Sequence, residues 1–211
     1  MDKSVIRPFA AAGLAGAVLT TVAGIAVEAV IKPTSDVPDT MWSYPWWSDA
    51  LAPVSIVYAG FHLLVLLGMI AVARSVSRRA ARTGTTLAVI GTFVLLLAEL
   101  ASIPFADQRA DDTGPQIVGG TFAFGAVLTA VGLTVAGVSI LRSGLWDGWR
   151  RYVALAAGVW SFVLIGLTMT SALAAAVAIY GVTLSLLFFA VYTTPTQPGD
   201  RPSRLRAHVE Q

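Results

Sequence analysis

The stretch that decides the fold class is FAAAGLAGAVLTTVAGIAVEAVIKP, Phe9 to Pro33. It is broken by a single acid, Glu28, and is long enough to cross a bilayer at about 20 residues per crossing. Lys3 and Arg7 precede it, as they would precede a secretory signal. The run is longer than a signal's apolar core, and no small-x-small cleavage site stands before the next polar segment. It therefore reads as a first membrane span. A second copy begins 71 residues later: Lys3, Arg7, Ala10, Gly13, Ala17, Val18, Thr21, Glu28 and Pro33 recur as Arg74, Arg78, Ala81, Gly84, Ala88, Val89, Thr92, Glu99 and Pro104. Apolar helices resemble one another by composition alone, but a shared Thr-x6-Glu-x4-Pro register with matched basic flanks points to an internal repeat.

Composition agrees with a membrane class. Hydrophobic residues make up 56% of the 211, charged residues only 12%, and mean hydropathy is +0.74. A soluble chain of this kind would have little polar surface to offer water. There is no cysteine, which excludes disulfides, thiolate metal sites and thiol nucleophiles.

Five further spans follow in order. The connection Lys32–Asp49 is polar and proline-punctuated, and the second span, about Leu51–Val72, carries His62. A basic turn at Arg74–Arg82 leads to the third span, Thr85–Ile103, which holds Glu99 and stops at Pro104. The acidic connection Phe105–Gln116 precedes a glycine-rich fourth span, Ile117–Leu141, suited to close helix packing in lipid. A second basic turn occupies Arg142–Arg151. Tyr152–Tyr192 is too long for one span and divides at Thr168–Ser171 into a fifth and a sixth. The expectation is an all-α bundle of six transmembrane helices in three hairpins, a single domain over residues 1–192, with a disordered cytoplasmic tail at 193–211. The prolines all fall at helix ends, in connections or in the tail, so the broken-helix signature of many transporters is missing.

With both termini in the cytoplasm, every basic residue except Lys32 and Arg109 lies on the inner side. Asp36, Asp39, Asp49, Asp107, Asp111 and Asp112 then face outward. That asymmetry obeys the positive-inside rule and places the chain in a plasma membrane.

Glu28 and Glu99 are the candidate catalytic residues. A carboxylate in hydrocarbon is costly, by about 2.5–3.5 kcal/mol for Asp on insertion scales, so it normally faces a protein interior or a wet cavity. The bland alternative is that both reach the outer interface. The repeat puts them at one depth on one helix face; if the hairpins pack about a two-fold axis, the acids approach one another and share a proton, and a neutral carboxylic acid can donate it. His62 is read as lying about two turns, or 10 Å, deeper than the glutamates. A lone histidine on an apolar helix is more often a packing residue than a ligand. Glu28, Glu99 and His62 could in principle hold an ion, but no metal or other cofactor is expected.

Trp46, Trp47, Trp146 and Trp149 fit aromatic belts at the two interfaces. Trp42 and Trp160 fit a belt less well. With Trp47, Tyr58, Phe61 and His62 they form the candidate substrate-binding set, because aromatic faces stabilise cations. DQRADD, Asp107–Asp112, has an acidic spacing reminiscent of diphosphate sites but lies in an outer loop around an arginine. No phosphate loop, dinucleotide fingerprint or nucleophile elbow is present, and the basic turns are what topology requires, so no nucleic-acid partner follows.

The set WSYPWW, GFHLLVLLG, AELASIPFAD and LWDGWRRYVAL resembles a group of small actinobacterial integral membrane proteins. The overall plan also resembles the membrane-bound terpene cyclases. That resemblance implies a cofactor-independent enzyme in which Glu28 or Glu99 protonates an alkene or epoxide of a lipophilic isoprenoid. Trp42, Trp47, Tyr58 and Trp160 would then guide the carbocation. Two other classes stay open: a small proton-coupled carrier, and a binding or scaffold protein that works through its Trp-rich outer loop and membrane lipids.

Overall fold

The computed structural model describes residues 5–168 and 170–194. Six helices carry the chain: α1 (Ile6–Ala26), α2 (Ser48–Ser75), α3 (Arg79–Ser102), α4 (Thr113–Ser143), α5 (Arg150–Leu167) and α6 (Leu173–Tyr192). All six are long and apolar enough to cross a membrane. Among the described residues there is no strand, only an isolated antiparallel bridge between Met41 and Arg109. The chain is an all-α, multi-pass membrane protein. Most of the tail, 195–211, lies outside the described residues.

Several boundaries differ from the sequence reading. α3 starts at Arg79 rather than Thr85, so much of the basic turn is helical; Arg and Ala are strong helix formers. Pro53 lies inside α2, near its start, where only the bond to the Asp49 carbonyl is forfeited. The connection after α4 turns on Gly144 and Gly148, both in the left-handed region at φ 62° and 61°. That turn folds Trp146 back into the core, where it is 5% exposed, so Trp146 is not an interface residue. Trp149 remains outside, stacked on Phe189 at 6.3 Å.

Each helix packs on its sequence neighbours, and α1 closes the ring on α6. Lipid tails are as apolar as leucine, so association rests on close approach and dispersion rather than on the hydrophobic effect. Small residues supply that approach. A Cβ on Gly132 of α4 would lie 2.5 Å from the Ala88 nitrogen and the Gly84 carbonyl of α3. On α6, a Cβ on Gly181 would lie 2.7 Å from the Ala17 carbonyl and the Thr21 nitrogen of α1.

These contacts show what the repeated register does. In the first copy the Ala17/Thr21 stripe packs on α6; in the second, the Gly84/Ala88 stripe packs on α4. Thr21 and Thr92 each donate a hydroxyl to the carbonyl one turn back, Ala17 and Ala88, so neither is an unpaired polar group. The shared spacing is thus a packing register, used against different partners in its two copies.

Candidate functional site

The two copies diverge most at their acids. Pro33 and Pro104 each lack a donor and crowd the carbonyl four residues back, and each sits in a 3-10 turn, Lys32–Thr34 and Ile103–Phe105; the copies differ in the turn before it. Before Pro33 the helix widens into a π-turn over Val27–Ile31, with the Lys32 amide donating to the Val27 carbonyl. Before Pro104 the helix stays regular α to Ser102. Glu28 falls inside the widened turn; Glu99 stays in regular α-helix.

Their surroundings differ accordingly. Glu28 is 37% exposed and its Oε2 accepts from Lys32 Nζ at 2.9 Å. Lys32 Nζ also donates to the Ser171 carbonyl, tying this end of α1 to the turn between α5 and α6. Glu99 is 15% exposed and faces α2, where its Oε1 lies 3.9 Å from His62 Nδ1. α1 packs on α2 and α6, α3 on α2 and α4, so the glutamates belong to different helix contacts. The conditional approach of the two acids finds no support in their contacts: Glu28 is paired with Lys32, and Glu99 lies beside His62.

The depth expected for His62 also requires correction. Ser55 and Ser102 are opposed across α2 and α3, with hydroxyls 3.1 Å apart. Counted inward from that level, Glu99 is three residues away on α3 and His62 seven on α2, an axial offset of about 6 Å at 1.5 Å per residue. α2 begins seven residues beyond Ser55, so counting from helix ends overstates the depth of His62. Side-chain direction closes the remaining gap. Cα–Cβ bonds tilt toward the helix N-terminus, so in this antiparallel pair Glu99 leans inward and His62 outward.

Which ring nitrogen of His62 carries the proton follows from its partner. Nδ1 lies 3.1 Å from the Tyr58 carbonyl, which can only accept, so Nδ1–H donates and Nε2 keeps a free lone pair. Ser102 donates to the Glu99 backbone carbonyl at 2.6 Å, securing the helix end that carries the acid. Among the described residues the Glu99 carboxyl has no hydrogen-bond partner. Tyr58 and Phe61, one turn outward of His62 and adjacent to it, hold their rings 5.7 Å apart at 57°. α4, the other helix packed on α3, carries no titratable side chain between Thr113 and Leu141.

Of the candidate substrate-binding residues, α2 thus brings His62 to the side of Glu99, with Tyr58 one turn before it and the Phe61 ring packed on that of Tyr58. The tryptophans make other contacts. Trp47 caps the start of α2 and is 62% exposed. Trp42 belongs to a cap formed by the two Asp-rich connections, in which its amide donates to the Gln108 carbonyl at 2.9 Å and the Ala110 amide donates to the Thr40 carbonyl at 2.8 Å. Trp160 donates its indole N–H to the Ala176 carbonyl at 3.0 Å, joining α5 to α6. Trp160→Phe is expected to cost about 1 kcal/mol of thermal stability in detergent, the worth of one hydrogen bond. Loss of activity in that variant without loss of stability would instead return Trp160 to the substrate set.

In the acidic loop, the Arg109 guanidinium donates to Asp111 at 3.0 Å and holds its carboxyl below the usual range. Asp112 accepts from the Arg109 amide. Asp111 and Asp112 are thereby engaged within the loop.

Sequence reasoning missed the Ser55–Ser102 pair. The signal was present as Ser55-x6-His62 and Glu99-x2-Ser102, spacings that put each serine on the face of the neighbouring site residue. Compared with protein-family models, with curated proteins and with solved structures, the chain matches none.

Proposed function

We propose that the protein is an acid catalyst of the membrane, a cofactor-independent cyclase of a bilayer-dissolved isoprenoid in which Glu99 alone is the acid. The observation that carries this reading is the Glu99 carboxyl, largely shielded, without a hydrogen-bond partner among the described residues, and 3.9 Å from His62 Nδ1. Glu99 gives its proton to a terminal alkene carbon of the prenyl chain. The neighbouring carbon becomes cationic and is attacked by the next double bond, closing a ring. The final cation loses a proton from an adjacent C–H to His62 Nε2, forming an alkene, so substrate and product have equal mass. Tyr58 and Phe61 present π-faces to the passing charge. Glu28, neutralised by Lys32, takes no part in the chemistry.

Liquid chromatography with mass spectrometry tests this on cells supplied with linear prenylated substrates. The expected result is a new peak of unchanged mass and altered retention that depends on the protein. With the folded protein in the membrane, no such peak across a broad substrate panel would favour the second reading, a proton-coupled carrier. That reading draws on the π-turn that follows α1, beside Glu28, as a local break in helical hydrogen bonding. It predicts substrate flux into sealed vesicles driven by a pH gradient.

The charge distribution supports both termini in the cytoplasm and the Asp-rich connections outside. Because the chain has no cysteine, single-cysteine variants report topology without background. On intact cells, a membrane-impermeant maleimide is expected to label Asp36→Cys, and Arg142→Cys only after lysis. The opposite pattern would invert the topology.

A further inference from the structure

At the basic end of the bundle, a cavity of about 380 Å³ is lined by Ser77, Arg79, Arg82, Thr83, Thr86 and Leu87. Arg79 and Arg82 are neighbours at i and i+3 on the first turn of α3. Two cations sit badly there, since the helix dipole favours negative charge at an N-terminus. The turn holds no acid, and the residue before it, Arg78, makes no side-chain cap. Among the described residues, neither Arg79 nor Arg82 is in an ion pair.

The remaining lining has a polarity that selects the anion's attachments. Thr83 and Thr86 donate their hydroxyls to the Arg79 and Arg82 carbonyls, at 3.1 and 2.8 Å. Their oxygens are left as acceptors toward the cavity, beside guanidinium donors. Leu87 begins an apolar wall, and the exposed side chains of Ile90, Phe93 and Leu97 continue along α3 at spacings of 3 and 4. A ligand matched to all of this has a phosphate for the arginines, a hydroxyl or ammonium for the threonines, and a hydrocarbon chain for the α3 face.

We propose that this cavity is a binding site for an anionic phospholipid headgroup of the inner leaflet. Guanidinium and phosphate form paired, charge-assisted hydrogen bonds, which neutral exposed turns do not offer. The site is distinct from the Glu99 site and does not depend on the function proposed for it.

Native mass spectrometry of the detergent-purified protein tests the assignment, with phosphatidylglycerol and phosphatidylcholine of identical chains as probes. The expected result is retention of phosphatidylglycerol over phosphatidylcholine, about tenfold or more weaker in Arg79→Gln/Arg82→Gln, as loss of a charge-assisted pair implies. The variant Arg142→Gln/Arg151→Gln removes the same net charge from the same end and is expected to keep the preference. Equal loss in both variants, or no preference in the wild type, would overturn the site in favour of diffuse attraction to the basic end. Inorganic phosphate is the third probe: displacement of the lipid by millimolar phosphate would overturn the lipid assignment and make the cavity a site for a soluble phosphate. All four arginines are exposed, so these substitutions leave the packed core intact.

Discussion

Glu99→Gln is expected to lower turnover by about 100- to 10,000-fold, the range for removal of a positioned general acid, with the protein still folded in the membrane. Glu28→Gln is expected to keep most of the activity. The two residues share a sequence register, so only structure separates them: Glu28 is held by Lys32 at 2.9 Å, whereas Glu99 is shielded beside His62. Glutamine keeps the side-chain shape at both positions; at Glu99 it removes the transferable proton, and at Glu28 it removes the charge that pairs with Lys32. The check is product formation per folded protein, quantified by size-exclusion chromatography in detergent. Equal loss in both variants would restore the shared-proton arrangement; full activity in Glu99→Gln would remove Glu99 from the chemistry.

The second large effect concerns the bundle itself. Gly132→Val is expected to disrupt it, because a Cβ there would meet backbone atoms of α3 at 2.5 Å, and backbone cannot swing aside as a flexible side chain can. Overpacking of this kind costs about 1–3 kcal/mol and sometimes more. Gly120→Val, on the same helix, is the control: a Cβ at Gly120 meets nothing within 4 Å, and the substitution should leave thermal stability unchanged. A thermal scan of both variants in one detergent settles the comparison. Equal melting would mean that the α3–α4 crossing is looser than these distances require.

Much of this architecture was legible in the chain. Apolar runs of span length, separated by polar and basic segments, specify six helices because a membrane leaves the backbone few other ways to satisfy its polar groups. The division of Tyr152–Tyr192 near Thr168 followed from length alone, and α5 ends at Leu167 and α6 starts at Leu173. Helix ends were less legible. Arg79–Arg82 read as a turn from their charge but are helical, since helix propensity and a membrane-surface position do not oppose each other.

The site was legible in its residue types but not in its pairing. Glu99, His62, Tyr58 and Phe61 stood out as polar or aromatic groups within apolar spans. Which acid met the histidine depended on three features that spacing does not encode: the start of α2 beyond the level of Ser102, the opposed lean of side chains on antiparallel helices, and the π-turn that precedes Pro33 but not Pro104. Repetition in sequence suggested two equal acids. The π-turn over Val27–Ile31 and the lysine one turn beyond Glu28 made them unequal.

The most direct test of a proton delivered by Glu99 is cyclisation of a linear prenylated substrate in deuterated water, followed by mass spectrometry of the product. The Glu99 carboxyl exchanges with solvent, so the account predicts a cyclised product carrying one deuterium at the carbon first protonated, formed by the wild type and by Glu28→Gln but not by Glu99→Gln. A cyclised product without deuterium, or one formed undiminished by Glu99→Gln, would contradict it.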